Sequence, residues 1–300
     1  RVIYGAFWED GRPKGLYLNS NADRPMLKPG AHLNGLRYEI QINSLGFRGS
    51  QQGPKTADGI RIWCIGRATT FDIYAPDNER SWPALLEKKL NIALNTERIE
   101  VINAGVPGEV YWGSKETFLA HLSSVQPDIV VLYHGPNDLR RQAELMDIGN
   151  STNRIGPQHI TPTSGTPPEV FDEIHKPPQV SPPLLAPGNY ALGRAIANWT
   201  QPRQQVPPQF QHNVFTREDF VSLEREVMSF IKVARQNNVQ PILITHPMRA
   251  STNDTGQVLR ERAAETVAHF KMPPQEIVRG FFAYNQMLHV LAKREKLKII

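Results

Sequence analysis

The sequence predicts an α/β protein built on a mostly parallel sheet, and three observations lead there. Short runs of consecutive apolar residues alternate with longer stretches whose apolar residues recur at helical spacing. The runs lack the in-out alternation of a one-sided strand, as expected where both faces of a sheet are covered. Three of them end in loops that carry glycine and polar residues, where an open parallel sheet binds its ligands.

In chain order, residues 1–56 are polar and turn-rich as far as Tyr38-Glu39-Ile40-Gln41-Ile42, whose alternation predicts a short half-buried strand. With the Asn43-Ser44-Leu45-Gly46-Phe47-Arg48-Gly49 that follows, they read as an appended arm with a hairpin-like end. The main domain is expected over residues 57–300. Its first strand is Ile60-Arg61-Ile62-Trp63-Cys64-Ile65-Gly66, an apolar run ending on glycine. Ser81 is placed to cap a helix carrying Leu85, Leu86, Leu90, Ala93 and Leu94, with Pro83 tolerated in its first turn. A second strand over 99–103, a helix over 114–125 and a third strand, Asp128 to His134, continue the alternation.

Residues 150–210 break the rhythm: they hold 12 of the 25 prolines and little apolar periodicity, which predicts a long insertion or lid. Order resumes at Thr216, a predicted N-cap for a helix with Phe220, Leu223, Val227, Phe230, Ile231 and Ala234 on one face. A strand over Pro241 to His246, helices over 258–270 and 274–295, and the opening of a further strand at Leu297 to Ile300 complete the pattern.

Composition narrows the function classes. With 40% hydrophobic and 21% charged residues, the chain has the makeup of a folded domain, and no run reaches the roughly 18 apolar residues of a membrane-spanning helix. The net charge of +5 is scattered, with neither a basic block nor alternation of basic and aromatic residues, so nucleic acid is not the expected partner. Cys64 is the single cysteine, which excludes an intrachain disulfide and a cysteine-rich zinc site. The histidines show no metal-binding helix pair, and no phosphate- or dinucleotide-binding glycine loop follows the first strand. Neither a metal nor a cofactor is expected. The chain opens on Arg1, so a removed N-terminal segment is expected to precede it.

The chemistry is concentrated at three strand ends: Ile65-Gly66-Arg67-Ala68-Thr69-Thr70-Phe71, Asn103-Ala104-Gly105-Val106-Pro107-Gly108 and Gly135-Pro136-Asn137-Asp138. Together these resemble the SGNH (GDSL-type) hydrolase family, whose first motif is Gly-Asp-Ser-x-Thr or Gly-Gly-Ser-Thr-Thr, whose second supplies a glycine and whose third is Gly-x-Asn-Asp. The segment from Ile42 to Gly49 also looks like the lead-in of a bacterial, exported or membrane-anchored branch. The resemblance covers residues 36–140 well and 216–300 only through the βα pattern. It implies a flavodoxin-like three-layer sandwich, a location outside the cytoplasm and a small-molecule or glycan acyl ester as partner, with membrane contact only through a removed N-terminal anchor.

Ester hydrolysis requires a nucleophile, a base and donors for the oxyanion of the tetrahedral intermediate. By the resemblance, the backbone N–H at position 68, the Gly105 N–H and the Asn137 side-chain amide are the donors. Two departures stand out. Position 68, which holds the family's serine, is Ala68, and a methyl group cannot attack a carbonyl. The family's late Asp-x-x-His, which supplies the base, does not occur between Ile244 and Ile300, and the expectation is that it lies beyond the sequence in hand.

Arg67, Thr69 and His134 are the candidate substrate contacts. A solvated loop arginine and a structural histidine are the competing readings for the first and last, and Thr69 is the weaker candidate for a substitute nucleophile. Asp138 is read as an orienting acceptor for its own loop, and His246 as a loop hydrogen-bonding group with a general base as the alternative. Phe171, Tyr190, Trp199 and Phe210 are candidates to stack on sugar rings or to anchor the proline-rich insertion. The leading expectation is a serine esterase for acyl esters, acetyl among them, of a carbohydrate or lipid, in a form without its serine. A non-catalytic carbohydrate- or acyl-binding protein on the same fold, and an acyltransferase, are the alternatives.

Overall fold

The computed structural model describes residues 8–9, 12–13, 15–19, 25–35, 38–109, 111–135, 138–139, 220–262 and 273–300. The proline-rich segment, Thr216 and Asn137 lie outside the described residues, as do Phe171, Tyr190, Trp199 and Phe210.

The arm forms three small antiparallel ribbons: β1 (Trp8–Glu9) with β2 (Arg12–Pro13), β3 (Tyr17–Asn19) with β4 (Met26–Leu27), and β5 (His32–Gly35) with β6 (Tyr38–Gln41). In β6 the alternation reads as expected, with Ile40 inward and Glu39 and Gln41 outward. The Asn43 to Gly49 segment that follows closes on itself. Asn43 Oδ1 accepts the Leu45 and Phe47 N–H groups, and Gly46, at φ +82°, supplies the left-handed residue the turn requires.

The core is one five-stranded sheet, parallel throughout: β7 (Ile60–Gly66), β8 (Ile99–Gly105), β9 (Ile129–Tyr133), β10 (Gln240–Leu243) and β11 (Lys298–Ile299). The spatial order is β11-β10-β9-β7-β8. Counted from β7 this is the 2-1-3-4-5 order of flavodoxin-like sandwiches, whose direction of winding reverses between β7 and β9. The short helix α1 (Ala68–Phe71) caps β7; α2 (Trp82–Ala93) joins β7 to β8, and α3 (Tyr111–Val125) joins β8 to β9. Helices α4 (Val221–Gln236) and α5 (Pro274–Glu295) flank β10 in the chain.

The period of two along β7 sorts the layers. Trp63 and Ile65 face a large cluster with Phe118 of α3, Val227, Phe230 and Ile231 of α4 and Phe281 and Leu288 of α5. Ile62 and Cys64 face the other side, against Trp82, Leu86 and Leu90 of α2. The apolar face expected for α4 is buried in full, from Phe220 to Ala234.

Helix α2 departs from its expectation twice. Leu85 and Leu94 are exposed, because Leu86 and Leu90 together with Trp82 take the sheet-facing side. Ser81 occupies the cap position, but its hydroxyl donates to Asn78 O; the helix N-terminus is satisfied instead by Asp72, whose Oδ2 accepts the Trp82 N–H at 2.9 Å.

Candidate active site

The three strand ends singled out from the sequence meet at the carboxyl edge of β7, β8 and β9. Gly66 and Gly105 pair directly in the β7–β8 register, and both are forced to be glycine. A Cβ on Gly66 would sit 2.1 Å from Tyr133 O, and one on Gly105 would sit 2.0 Å from Phe71 N. With two side chains missing, the chain turns straight from β7 into α1 and lies back over the strand ends. Thr70 fastens this turn by donating its hydroxyl to Tyr133 O at 2.9 Å, and Trp82 Nε1–H donates to Thr69 O at 2.9 Å.

Ala68 is therefore the first residue of α1, partly exposed and two residues beyond the end of β7. Its carbonyl is used by the Ile73 N–H. The N–H of a first helical residue has no partner within the helix. The Thr69 hydroxyl is buried and has no hydrogen-bond partner, so it is turned away from the solvent side on which a nucleophile has to act.

Gly105 differs from its expected role. Its N–H donates to Asn103 Oδ1 at 3.1 Å, and Asn103 Nδ2 in turn donates to Phe71 O, so this glycine is part of the packing under α1. The glycine that sequence reasoning passed over is Gly108. Val106-Pro107-Gly108-Glu109 is a turn closed by the Glu109 N–H on Val106 O, and Gly108 at φ +89° fits the third position of a type II turn with proline before it. The Pro-Gly pair just after a strand was the signal for it. Tyr17 of the arm donates its hydroxyl to Pro107 O at 3.0 Å. In a trans peptide the N–H opposes the C=O, so the Gly108 N–H points away from that contact.

Arg67 and His134 also differ from substrate contacts. Arg67 is 5% exposed and His134 0%, so both side chains lie in the interior beneath the strand ends. His134 stacks on Tyr111, with ring centroids 3.8 Å apart, and Tyr111 meets Tyr284 hydroxyl to hydroxyl at 3.3 Å. Nδ1 of His134 lies 3.5 Å from Asp138 Oδ2, an electrostatic contact at the outer limit of hydrogen-bond length. Burial holds the imidazole below its ordinary value, against the opposing pull of Asp138.

Asp138 closes the third strand end as an acceptor. Its Oδ2 takes the Gly135 N–H at 3.2 Å, and its own N–H returns to Gly135 O at 3.0 Å. Burial alone raises a carboxyl, yet the positive charge of Arg67, the contact with His134 and the Gly135 N–H together hold Asp138 below the ordinary carboxylate range. Arg67 and Asp138 are thus two buried side chains of opposite charge, and the field of the first favours the charged form of the second.

His246, beyond β10, stacks on Phe281 at 4.8 Å and on Tyr133 at 6.0 Å. Asn285 grips its backbone, accepting the His246 N–H and donating to its carbonyl, both at 2.9 Å. Burial lowers its pKa to about 4, so the ring is neutral at pH 7. Among the described residues, no group of three or more His, Cys, Asp or Glu side chains could hold a metal ion, and no helix is long and apolar enough to cross a membrane.

No family model matches the sequence, and no curated protein does. Solved structures do resemble it. The chain is similar to the crystal structure of TesA, at 15% identity over 80% of this chain and 76% of that one, with a TM-score of 0.41. It is also similar to AlinE4, an SGNH-hydrolase family esterase, at 13% identity over 82% and 77% with a TM-score of 0.40. The psychrotrophic esterase EstA from Pseudoalteromonas sp. is similar at 13% identity over 80% and 75%, with a TM-score of 0.40. What the fold and site define by themselves is a parallel α/β sandwich with a site at the point where its winding reverses.

Proposed function

We propose that this chain carries an acyl-ester site of the SGNH type, in a form that lacks the attacking serine. The observation that carries the reading is the place of Ala68: first residue of α1, at the carboxyl end of β7, beside the point where the winding reverses, where the Gly-x-Ser motif has its nucleophile. The Ala68 N–H, the Gly108 N–H and the Asn137 amide are the proposed oxyanion donors, with Gly108 taking the part first given to Gly105. Each such donor contributes about 10² to 10³ in turnover where the chemistry runs. Acyl esters of a carbohydrate or lipid are the proposed ligand class.

The test is hydrolysis of p-nitrophenyl acetate by Ala68→Ser in the full-length gene product. Serine-dependent acetate release above the parent is the expected result. Then Asn137→Ala, which deletes one proposed donor, lowers kcat about 10²-fold or more.

A second reading is favoured by Arg67. A buried arginine stands next to the nucleophile position, where the family has glycine or aspartate, and this suits a protein that binds an acylated sugar without turning it over. Saturable calorimetric binding of the acetylated sugar, with Ala68→Ser folded but inert, decides for that reading. Acyl transfer to a sugar outrunning transfer to water decides for an acyltransferase.

A further inference from the structure

We infer that Arg48 of the N-terminal arm is a positioning residue for the site, holding α1 and the segment that follows it by their main-chain carbonyls. The side chain is 3% exposed. Nη1 donates to Phe71 O at 3.0 Å and Asp72 O at 2.8 Å, and Nη2 to Ala75 O at 3.0 Å and Asp77 O at 2.6 Å. Nε donates to Asn78 Oδ1 at 3.3 Å, and the guanidinium carbon lies 4.9 Å from the centre of the Phe71 ring. One planar fork thus reaches four carbonyls, one at the end of α1 and three in the segment that follows it. The guanidinium keeps its charge at neutral pH: burial lowers its pKa only to about 10, opposed by Asp72 and Asp77.

The rest of the arm makes the same joint. The Arg48 N–H donates to Asn103 O, which ties the arm to β8, and the Glu39 N–H donates to Pro76 O. Asn78 and Gln41 exchange two hydrogen bonds, and Tyr17 holds Pro107. Leu16, Leu27, Ile40 and Ile42 of the arm bury Phe71 of α1 and Val106 of the second strand end in one apolar cluster. Two of the three site loops therefore pack against residues 15–50, across the boundary expected at residue 56. Asp72, whose carbonyl Arg48 binds, sits in the left-handed conformation at φ 59° while its carboxylate caps α2. Releasing that carbonyl frees the joint between α1 and α2.

The consequence for catalysis rests on the ester-site reading, whereas the placing of the loop does not, so the decisive readout is amide hydrogen exchange on the Ala68 protein. Arg48→Met is expected to speed exchange across residues 68–78 by about tenfold or more, the scale of a lost buried charged hydrogen bond. Exchange in β9 and α5 is expected to stay at the parent's rate. Arg48→Lys keeps the charge but not the fork, and is expected to open the same segment to a similar extent. Millimolar methylguanidine, and not methylammonium, restores protection to Arg48→Ala.

Should the Arg48 variants fail to fold, Asn78→Ala removes the surface half of the same network and is expected to speed exchange at 71–78 alone. A uniform rise over the whole sheet, an Arg48→Lys protein indistinguishable from the parent, or an unchanged 71–78 in Asn78→Ala overturns the inference. In an Ala68→Ser protein that hydrolyses ester, Arg48→Lys lowers kcat with little change in KM. If that protein is inert, the exchange result still stands or falls by itself.

Discussion

Asp138 is almost fully buried and still ionised, and that combination explains much about the site's interior. Its charge is bought by Arg67 on one side and the Gly135 N–H on the other, so removing one partner leaves the other exposed to the full desolvation cost. Asp138→Asn is accordingly expected to destabilise the protein by about 3 kcal/mol or more, read by urea unfolding at pH 7.

His246 gives the clearest pH effect. Its pKa falls from an ordinary 6.5 to about 4 on folding, so the unfolded chain takes up a proton first as pH drops. The stability it contributes is complete above pH 6.5 and lost as pH falls toward 4, by roughly 3 kcal/mol over that window. His246→Phe removes the titrating ring and keeps an aromatic ring between Tyr133 and Phe281. Unfolding midpoints of His246→Phe measured from pH 7 to pH 4.5 should be flatter than the parent's, and equal slopes would refute the assignment.

Ala68 was legible at this scale because a missing hydroxyl is visible in the letters alone. The burial of Arg67 and His134 was not, since it depends on Tyr111 of α3, which stacks on His134, and on Tyr284 of α5 behind it.

At the level of elements, the strands were the most readable part. Apolar runs such as Ile60–Gly66, interrupted only by Arg61, leave no competing structure when both faces are covered. Helix α5 was read at its observed bounds, Pro274–Glu295, since proline at its start and a strong apolar stripe agree. Helix α2 misled because it is shallowly seated and several leucines compete for the sheet; its cap, Asp72, lies ten residues upstream and leaves no local signature.

The meeting of β8 with α1 makes a further test. Alanine at position 105 would place a methyl group against the Phe71 backbone, which has no room to yield. Gly105→Ala is expected to cost about 1 to 3 kcal/mol or to prevent folding, whereas a glycine with room for a methyl group would leave the melting temperature unchanged.

On the scale of the whole molecule, the sequence read the parallel sheet but left its strand order to the resemblance, since apolar runs do not say which strand lies beside which. The arm was read as an appendage because its ribbons are short and polar; its apolar residues reach their partners, Phe71 and Val106, only across the fold. If arm and sheet form one cooperative unit, Ile40→Ala should cost about 2 to 5 kcal/mol and lower a single melting transition. Tryptophan fluorescence, with Trp63 in the sheet core, and far-ultraviolet circular dichroism should then report the same midpoint. An early, separate loss of arm structure would show the two to be independent.

Four of the five guanidinium hydrogen bonds of Arg48 end on main-chain oxygens, and this makes those four blind to sequence. Tyr74, 73% exposed, and its exposed neighbour Glu79 can be exchanged without touching the atoms that fix the loop. A library varied at those two positions would explore new ligand preferences on a rim whose backbone stays where the arm holds it.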